Sequence, residues 1–523
     1  MPAQRLDPVT LQVMIGGLRA ACEEMGAVLI RSAYSANIKE RRDCSTALFD
    51  PDGEMVMQAE HIPVHLGSMP ESVAAVLDEP QRPGETWMLN DPYRGGTHLP
   101  DITLISPIFV GGTLSGFAAS RAHHADVGGP TPGGMPAGST QLEEEGLVIP
   151  PTLASSQALE EVASCMRSPR QRLADLRAQQ AANRIGSLRL TELAQRQGLD
   201  ELRAGMAETL AYAERRTRAA LAELPDGTYE ASDVMEDDVG GDPRDVTLRV
   251  SATVAGDQLL LDFTGTDPQV DGNLNCPLSV TKSAAYFAVR VLTDPDAPPS
   301  AGAYRPIEVR APEGCLLNAE PPAAVAAGNV ETSSRVADLV ISALAGARPA
   351  PAQGQGTMNN LTLANQGFGR GDEGRRDMHV DGGWTYYETL GGGQGGCPDA
   401  DGPSAVHVAM SNTLNTPVEA LETEFPLRVR ELSVRRGSGG AGLHPGGDGV
   451  VRELEALEPM RYTLISERRR HRPRGRDGGA DGQPGRNLLN DEPLPSKCEG
   501  ELSPGDRLRI ETPGGGGYGK LES

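Results

Sequence analysis

The chain has 523 residues, of which 63 are glycine, 41 are proline and 4% are aromatic, and its formal net charge at pH 7 is −24. This length suffices for several domains with their own cores, and the negative charge argues against binding to nucleic acid or to an anionic membrane surface. The seven cysteines are widely spaced without a CxxC pair, and neither a signal peptide nor a run of about eighteen apolar residues is found. We therefore expect a cytoplasmic protein with no disulfide framework and no membrane span.

The first 155 residues combine one helical pattern with several strand patterns. Apolar residues recur at helical spacing from residue 8 to about residue 35, with Asp7 and Thr10 as candidate N-terminal caps. An Asp-Pro-Asp-Gly sequence at residues 50–53 separates two strand-like runs and predicts a hairpin. Further strands are predicted in TWMLNDP, ITLISPIF and LSGFAASRAHH, so we interpret residues 1–155 as an N-terminal α/β domain.

The rest of the chain divides by composition into three segments. Residues 156–224 are rich in Ala, Leu, Glu and Arg at helical spacing and predict two or three helices, broken at Pro169 and Gly198. Alternating apolar residues after the turn at residues 225–227 predict hairpins, and we assign residues 225–350 to a mixed β/α domain. Residues 351–523 are interpreted as a glycine-rich, β-rich C-terminal domain. The predicted fold class is α+β, multi-domain and β-rich, with a helical segment in the middle.

Two features of the C-terminal segment have more than one interpretation. The glycine runs at residues 391–396, 437–449 and 512–519 are typical of close backbone packing, of loops near a ligand, or of surface turns. None of them matches the phosphate-binding patterns GxxxxGK[ST] or GxGxxG, so no nucleotide-binding residues are assigned. The arginine-rich stretch at residues 466–479 suits an anion or an acidic partner, although its charge and glycine content favour a solvated loop.

Histidines gather in one part of the chain: five of the nine fall between residues 61 and 124. His98 and Asp101 are three residues apart across Pro100, and the predicted hairpin after them returns His123 or His124 to the same end of the sheet. Imidazole and carboxylate ligands from two strand ends suit a divalent metal and leave coordination positions for water or substrate. The alternative is a group of ordinary hydrogen-bonded histidines at a sheet edge.

Several neighbours of this cluster are candidates for supporting roles. Adjacent strand residues point to opposite faces, so only one of His123 and His124 is expected to bind metal, while the other and Asp126 would fix a ring tautomer by hydrogen bonding. His61 and His65 are candidate acid–base or substrate-contacting groups, with a structural role as the alternative. Asp43 precedes Cys44, whose thiol is expected to be buried and inert and not a nucleophile. The GNVETSSR stretch, which contains Glu331 and Arg335, would line a substrate channel or an interface, although a structural role is favoured.

Long motifs spread over nearly the whole chain carry a family resemblance. They include KERRDCSTALFDPDGEMVMQAEHIPVHLGSMPESV, LNDPYRGGTHLPDITLISPIF, AHHADVGGPTPGGMP, GNVETSSRV, ETLGGGQGG and GSGGAGLHPGGDGVVRE. With them the sequence resembles the hydantoinase B / 5-oxoprolinase family, which includes N-methylhydantoinase B-type subunits and the related acetone carboxylase alpha subunit.

The resemblance implies a function and a partner. It implies the metal-binding subunit of an ATP-dependent amidohydrolase that opens a hydantoin, 5-oxoproline or a similar cyclic amide. A separate hydantoinase A-type chain would use ATP to phosphorylate the substrate, so a hetero-oligomer is expected. A subunit of an acetone carboxylase-type enzyme, or a regulatory subunit with a structural metal, are the alternatives.

The resemblance also implies roles for individual residues. A divalent metal, manganese or zinc, would be held by a His-xx-Asp motif and a later histidine, which map onto His98, Asp101 and His123. His124, Asp126 and Glu145 are then candidates for the surroundings of the metal or the substrate.

Overall fold

A computed structural model describes residues 6–238, 243–365 and 383–521. Within these ranges four β-sheets and ten α-helices alternate along the chain, which confirms the predicted α+β fold class. The predicted division into four domains stays a prediction. None of the helices in the described ranges has the length and apolar character that a membrane span requires.

The N-terminal part is built on a six-stranded sheet in the order β2-β1-β5-β4-β3-β6. Its strands are β1 (Cys44–Phe49), β2 (Met55–Glu60), β3 (Trp87–Leu89), β4 (Asp101–Val110), β5 (Thr113–His123) and β6 (Thr152–Leu153). The helices are α1 (Pro8–Ser32), α2 (Ala36–Lys39) and α3 (Met69–Leu77). The Asp7 carboxylate caps α1 by accepting from the backbone N–H groups of Val9 and Thr10. The predicted first helix, hairpin and strands are confirmed.

The helical segment covers one face of this sheet. It contains α4 (Ser156–Ser164), α5 (Pro169–Gln197) and α6 (Leu199–Leu221), which begin or end where Pro169 and Gly198 predict breaks. Side chains of α5 hydrogen-bond the sheet directly: Gln179 Nε2 donates to the carbonyl of Ile102 and Asn183 Nδ2 to that of Leu104. Because α1, α5 and the sheet share one hydrophobic cluster, this segment has no separate core from the N-terminal strands.

The middle of the chain forms a second sheet with helices packed on it. Its strands, in the order β10-β9-β8-β7, are β7 (Gly227–Asp237), β8 (Arg244–Ala255), β9 (Gln258–Asp262) and β10 (Ile307–Arg310). The helices are α7 (Leu278–Leu292), α8 (Ala301–Tyr304) and α9 (Ser333–Leu344). The β8–β9 hairpin confirms the alternation seen in the sequence.

The C-terminal part contains two further sheets, in the orders β12-β11-β15-β18 and β13-β14-β19-β16-β17, and a short helix α10 (Val418–Glu424). The strands are β11 (Asn360–Asn365), β12 (Thr385–Glu388), β13 (Leu427–Arg435), β14 (Gly449–Ala456), β15 (Met460–Ile465), β16 (Arg486–Leu489), β17 (Glu492–Leu494), β18 (Lys497–Leu502) and β19 (Arg507–Glu511). Apolar side chains from both sheets form one cluster between them.

Close backbone packing explains many of the C-terminal glycines. A Cβ atom on Gly393 would lie 1.9 Å from the carbonyl oxygen of Gly447, and one on Gly515 would lie 2.0 Å from that of Gln394. The same segments exchange backbone hydrogen bonds, such as that from Gly396 N–H to the carbonyl of Gly516. Chains that lie this close leave no space for side chains. Of the three interpretations of the glycine runs, the structure supports this one.

The arginine-rich stretch is partly buried, which corrects the prediction of a solvated loop. Arg468 is fully buried, and its Nη2 lies 3.1 Å from Asp233 Oδ2 on β7. The neighbouring Glu467 is also buried, and its carboxylate lies 2.9 Å from Lys497 Nζ. The acidic partner of Arg468 is more than 200 positions away in the sequence, so local composition gave no sign of this burial.

Candidate metal centre

The register of one hairpin assembles the predicted cluster. Asp101 is the first residue of β4 and lies opposite His123, the last residue of β5. His98 precedes β4 and its carbonyl accepts from Asp101 N–H, while His124 N–H donates to the carbonyl of Pro100. The turn between the strands contains Gly111 and Gly112, both at positive φ. A long antiparallel hairpin therefore returns the second histidine to the His-xx-Asp motif.

The three side chains converge and are buried. Ligand atoms of His98, Asp101 and His123 all lie within 4.8 Å of one another, and the residues are 0%, 1% and 3% exposed. His98 Nε2 lies 3.3 Å and His123 Nδ1 lies 3.4 Å from Asp101 Oδ1. Two ligands each about 2.0–2.2 Å from a shared cation lie roughly 3.0–3.6 Å apart, so these separations fit a common metal ion.

Unsatisfied polar atoms support the same interpretation. Both ring nitrogens of His98 and Nε2 of His123 are buried without a hydrogen-bond partner. Such atoms are rare in folded proteins because each costs the desolvation of a polar group. A divalent cation beside Asp101 Oδ1 would satisfy one of them, His98 Nε2, because an ion binds a single nitrogen of each ring. The set of two imidazoles and one carboxylate suits manganese or zinc.

Asp101 is the centre of a wider group of polar contacts. Its Oδ2 accepts from Thr97 Oγ1 at 2.8 Å and from Asn329 Nδ2 at 3.4 Å, and lies 3.4 Å from His65 Nε2. Burial alone would raise the pKa of Asp101, but the imidazoles of His98, His123 and His65 lower it well below its usual range. The carboxylate is therefore ionised and available as a ligand.

The two upstream histidines have different positions. His65 shares a hydrogen bond with Ser45 Oγ through Nδ1 and points Nε2 towards Asp101, so it belongs to the cluster. Burial lowers the pKa of His65, which favours the neutral imidazole. The ring of His61 lies against α1, where a Cβ on Gly26 would be 2.8 Å from its Cε1. Within the described residues no contact joins His61 to Asp101.

His124 faces away from the cluster, as strand alternation predicts. Its Nε2 shares a hydrogen bond with Gln179 Oε1 on α5, and burial lowers the pKa of His124 to about 4. Asp126 accepts from the backbone N–H groups of Gly128, Gly133 and Arg167 and from Arg167 Nη1. Both oxygens of Asp126 thus anchor the loop after β5, and neither of them bonds a histidine ring as the sequence analysis expected.

Tyr387, which lies next to the glycine run at residues 391–396, packs against the cluster. The ring of Tyr387 on β12 stacks on His123 with a centroid distance of 4.4 Å. Its hydroxyl donates to Asn360 Oδ1, and Asn360 Nδ2 donates to Glu331 Oε1, each at 2.8 Å. Burial and the charge of Glu467 raise the pKa of Glu331 to about 8. Hydrogen bonds through Asn360 thus connect Glu331 to Tyr387, whose ring stacks on His123.

Asp43 and Glu145 both support elements of the site. The carbonyl of Asp43 accepts from His123 N–H, so Asp43 flanks the cluster. Glu145 accepts from Ser139 Oγ and from the backbone N–H groups of Val325 and Ala326, just before the turn that carries Asn329. Burial raises the pKa of Glu145 to about 7.

Arg335 and Cys44 have structural roles. Arg335 is fully buried, donates to the carbonyl of Val234 and lies 3.5 Å from the Glu467 carboxylate. An ionic partner far away in the sequence holds the guanidinium, which agrees with the structural role that the sequence analysis favoured over a substrate channel. Cys44 is fully buried, and burial raises the pKa of its thiol, so the thiolate form is disfavoured.

The chain is similar to solved structures over nearly its whole length. The ATP-dependent caprolactamase from Pseudomonas jessenii matches with a TM-score of 0.88 and 27% identity, covering 99% of this chain and 92% of that one. A nucleotide-free acetone carboxylase structure matches with a TM-score of 0.84 and 18% identity, covering 98% and 76% of the two chains. The second similarity shows a shared fold.

Sequence comparisons show the family. The chain is 38% identical to 5-oxoprolinase 1 of Arabidopsis thaliana over 98% of its length, but it spans only 42% of that protein. It is 31% identical to a putative B-type D-/L-hydantoinase subunit from Pseudomonas sp. strain NS671, covering 99% of this chain and 90% of that one. A family model for Hydantoinase B/oxoprolinase matches residues 7–521. This chain therefore belongs to the Hydantoinase B/oxoprolinase family.

Proposed function

We propose that this chain is the metal-binding subunit of an ATP-dependent enzyme that opens a cyclic amide such as a hydantoin or 5-oxoproline. The observation that carries the proposal is the convergence of His98, Asp101 and His123 in a buried site with unsatisfied ring nitrogens. The names of the relatives, which include a 5-oxoprolinase, a hydantoinase subunit and a caprolactamase, support the choice of substrate class.

A separate A-type chain would supply the ATP step. The sequence offers no phosphate-binding loop of the GxxxxGK[ST] or GxGxxG type, which supports a nucleotide site on the partner. The relative named as a B-type hydantoinase subunit, of which this chain covers 90%, supports a hetero-oligomer. In the longer 5-oxoprolinases the additional residues are the natural place for such a site.

The chemistry follows from amide resonance. Resonance makes the ring carbonyl a poor electrophile, and transfer of the γ-phosphoryl group of ATP to the carbonyl oxygen removes it. Water then adds to the former carbonyl carbon, the ring C–N bond breaks and the nitrogen takes up a proton, which leaves an acyl phosphate. A second water hydrolyses this acyl phosphate to the open-chain acid and inorganic phosphate. A divalent cation held by His98, Asp101 and His123 would supply Lewis acidity towards the carbonyl and towards water.

His65 is the best-placed residue to move protons. Its Nε2 lies 3.4 Å from Asp101 Oδ2, and its Nδ1 shares a hydrogen bond with Ser45 Oγ. These two contacts fix the orientation of the ring. Burial lowers the pKa of His65, which favours the neutral imidazole; with Nε2–H directed at the ionised Asp101, Nδ1 can receive a proton through the Ser45 hydroxyl. His124 and His61 are less suited, since the first bonds α5 and the second packs against α1.

The test is an ATP-coupled assay of the chain co-expressed with an A-type partner, using hydantoins and 5-oxoproline as substrates. His98→Ala should abolish turnover and bound metal while ATP binding by the partner remains. His444→Ala changes a partly exposed histidine in the glycine-rich C-terminal part and is the matched control. It should leave turnover and metal content unchanged. Undiminished turnover or unchanged metal content in His98→Ala would contradict the proposal.

Two alternatives are distinguished by the same preparation. The fold shared with acetone carboxylase favours a carboxylase as the second candidate, for which turnover would require bicarbonate and produce a carboxylated product. A purely structural metal would instead show as unfolding of the chain when the metal is removed.

A further inference from the structure

Arg41 is a buried cation without an acidic partner. It lies between α2 and β1 and is fully buried. Its Nη2 donates to Thr389 Oγ1 at 2.6 Å, to the Thr389 carbonyl at 3.0 Å and to Thr413 Oγ1 at 2.9 Å. Its Nε and Nη1 have no hydrogen-bond partner, and among the described residues it forms no ion pair. Burying a charge without compensation is costly, so this arrangement requires an explanation.

Comparison with other buried arginines shows how unusual this is. Arg121, which is also fully buried without a close carboxylate, directs each guanidinium nitrogen at a hydroxyl, those of Thr103, Ser68 and Ser72. Arg468 retains an unpartnered Nε but lies 3.1 Å from the Asp233 carboxylate. In the part of the chain that the structure describes, Arg41 alone among the buried arginines combines unpartnered donors with the lack of an ionic partner.

Arg41 lies beside the candidate metal centre. Thr389, which accepts its hydrogen bonds, is two residues after Tyr387, whose ring stacks on His123. The pKa of Tyr387, which burial raises well above its usual range, is influenced by the charges of both Arg41 and Asp101. Two positions beyond Arg41, the carbonyl of Asp43 accepts from His123 N–H. Arg41 and His123 therefore contact the same short segment, the first through Thr389 and the second by stacking on Tyr387.

The segment at residues 412–414 packs against Arg41. Its carbonyl accepts from Leu414 N–H, and the neighbouring Thr413 packs on the guanidinium through its hydroxyl. Leu414 itself is 47% exposed and Asn412 is exposed as well. The segment that packs against Arg41 Nη2 is therefore itself in contact with solvent.

We infer that Arg41 binds an oxyanion of the substrate, so that it determines which compounds the site accepts. This inference rests on the proposed function. The reaction offers two sources of such a group: the phosphoryl group placed on the ring oxygen, and the carboxylate of a ring acid such as 5-oxoproline. Either supplies the acceptors that Nε and Nη1 lack, and hydrogen bonds between ionised groups are among the strongest in proteins.

The test is binding without turnover. The metal-free full-length chain is titrated calorimetrically with inorganic phosphate and, separately, with 5-oxoproline. Arg41→Gln should weaken binding about 10- to 100-fold, whereas Arg42→Gln, which removes the same charge from an exposed neighbour, should leave it unchanged. Arg41→Lys keeps the charge and should give an intermediate affinity, which serves if Arg41→Gln fails to fold.

Titration with phosphate and with 5-oxoproline distinguishes the phosphoryl group from the ring carboxylate as the bound oxyanion. Weaker binding of phosphate assigns Arg41 to the phosphoryl group, and weaker binding of 5-oxoproline alone assigns it to the carboxylate. The inference is overturned if the wild-type chain binds neither compound, or if both Arg41 variants bind them as tightly as the wild type. Neither result bears on hydrolysis itself, which the ATP-coupled assay with His98→Ala tests separately.

Discussion

Replacing Asp101 by asparagine tests the metal centre with the smallest change of shape. The carboxylate receives contacts from His98 and His123 on Oδ1, and from Thr97, Asn329 and His65 on Oδ2. Asparagine keeps the volume but removes the negative charge and turns one acceptor into a donor. We expect Asp101→Asn to fold and to lose metal binding.

The magnitude follows from the role of a direct ligand. Mutation of groups that only orient metal ligands typically weakens binding about 10- to 100-fold, so loss of the single carboxylate should weaken it by at least about 100-fold. At a metal concentration of about 100 times the wild-type Kd, the ion stabilises the wild type by about 2.7 kcal/mol. A variant with 100-fold weaker binding gains only about 0.4 kcal/mol at that concentration.

The assay compares unfolding with and without added manganese or zinc, together with calorimetric titration of each metal. Asp52→Asn, at an exposed position in the β1–β2 turn, is the matched control and should respond to metal as the wild type does. Equal metal-induced stabilisation of Asp101→Asn and the wild type would refute the assignment of His98, Asp101 and His123 as ligands.

Two further predictions concern packing and pH. Gly393→Ala should destabilise the protein by about 1–3 kcal/mol or more in urea unfolding, because its Cβ would overlap the carbonyl of Gly447, whereas Gly16→Ala in the open face of α1 should be neutral or stabilising. Burial raises the pKa of Glu331 from 4.5 to about 8. Between these two pH values the folded chain holds a proton that the unfolded chain has lost, so the free energy of unfolding falls as the pH rises. Glu331→Gln should therefore remove part of the decline in unfolding free energy between pH 5 and pH 8, on the order of a few kcal/mol, and an unchanged pH dependence would contradict this.

Local sequence signals predicted the individual elements well. Asp7 caps α1, the Asp-Pro-Asp-Gly turn closes the β1–β2 hairpin, and Pro169 and Gly198 delimit α5. Each of these is a short-range effect of backbone geometry or hydrogen bonding, so neighbouring residues suffice to predict it. The predicted first helix continued to about residue 35, whereas α1 ends at Ser32.

The residues of the candidate site were only partly predictable. His98, Asp101 and His123 belong to one hairpin, so their spacing along the chain and the alternation of strands indicated that they meet. Tyr387 and Asn329 come from segments more than 200 positions away, and the sequence held no signal of their contacts beyond the motifs around them. Asp126 and Arg335 have side chains suited to catalysis. Their ionic partners, Arg167 and Glu467, lie on segments that residue spacing along the chain does not predict.

By itself the sequence determined the hairpin that gathers two histidines and an aspartate, because adjacent strands joined by a short turn can pair in few registers. Only the tertiary structure decided which charges are buried and which of them have partners. It paired Arg468 with Asp233 and gave the guanidinium nitrogens of Arg121 hydroxyl acceptors, but it left Nε and Nη1 of Arg41 without an acceptor. The physical reason is that desolvation and ion pairing depend on distances between remote segments, and these distances exist only once the sheets have packed together.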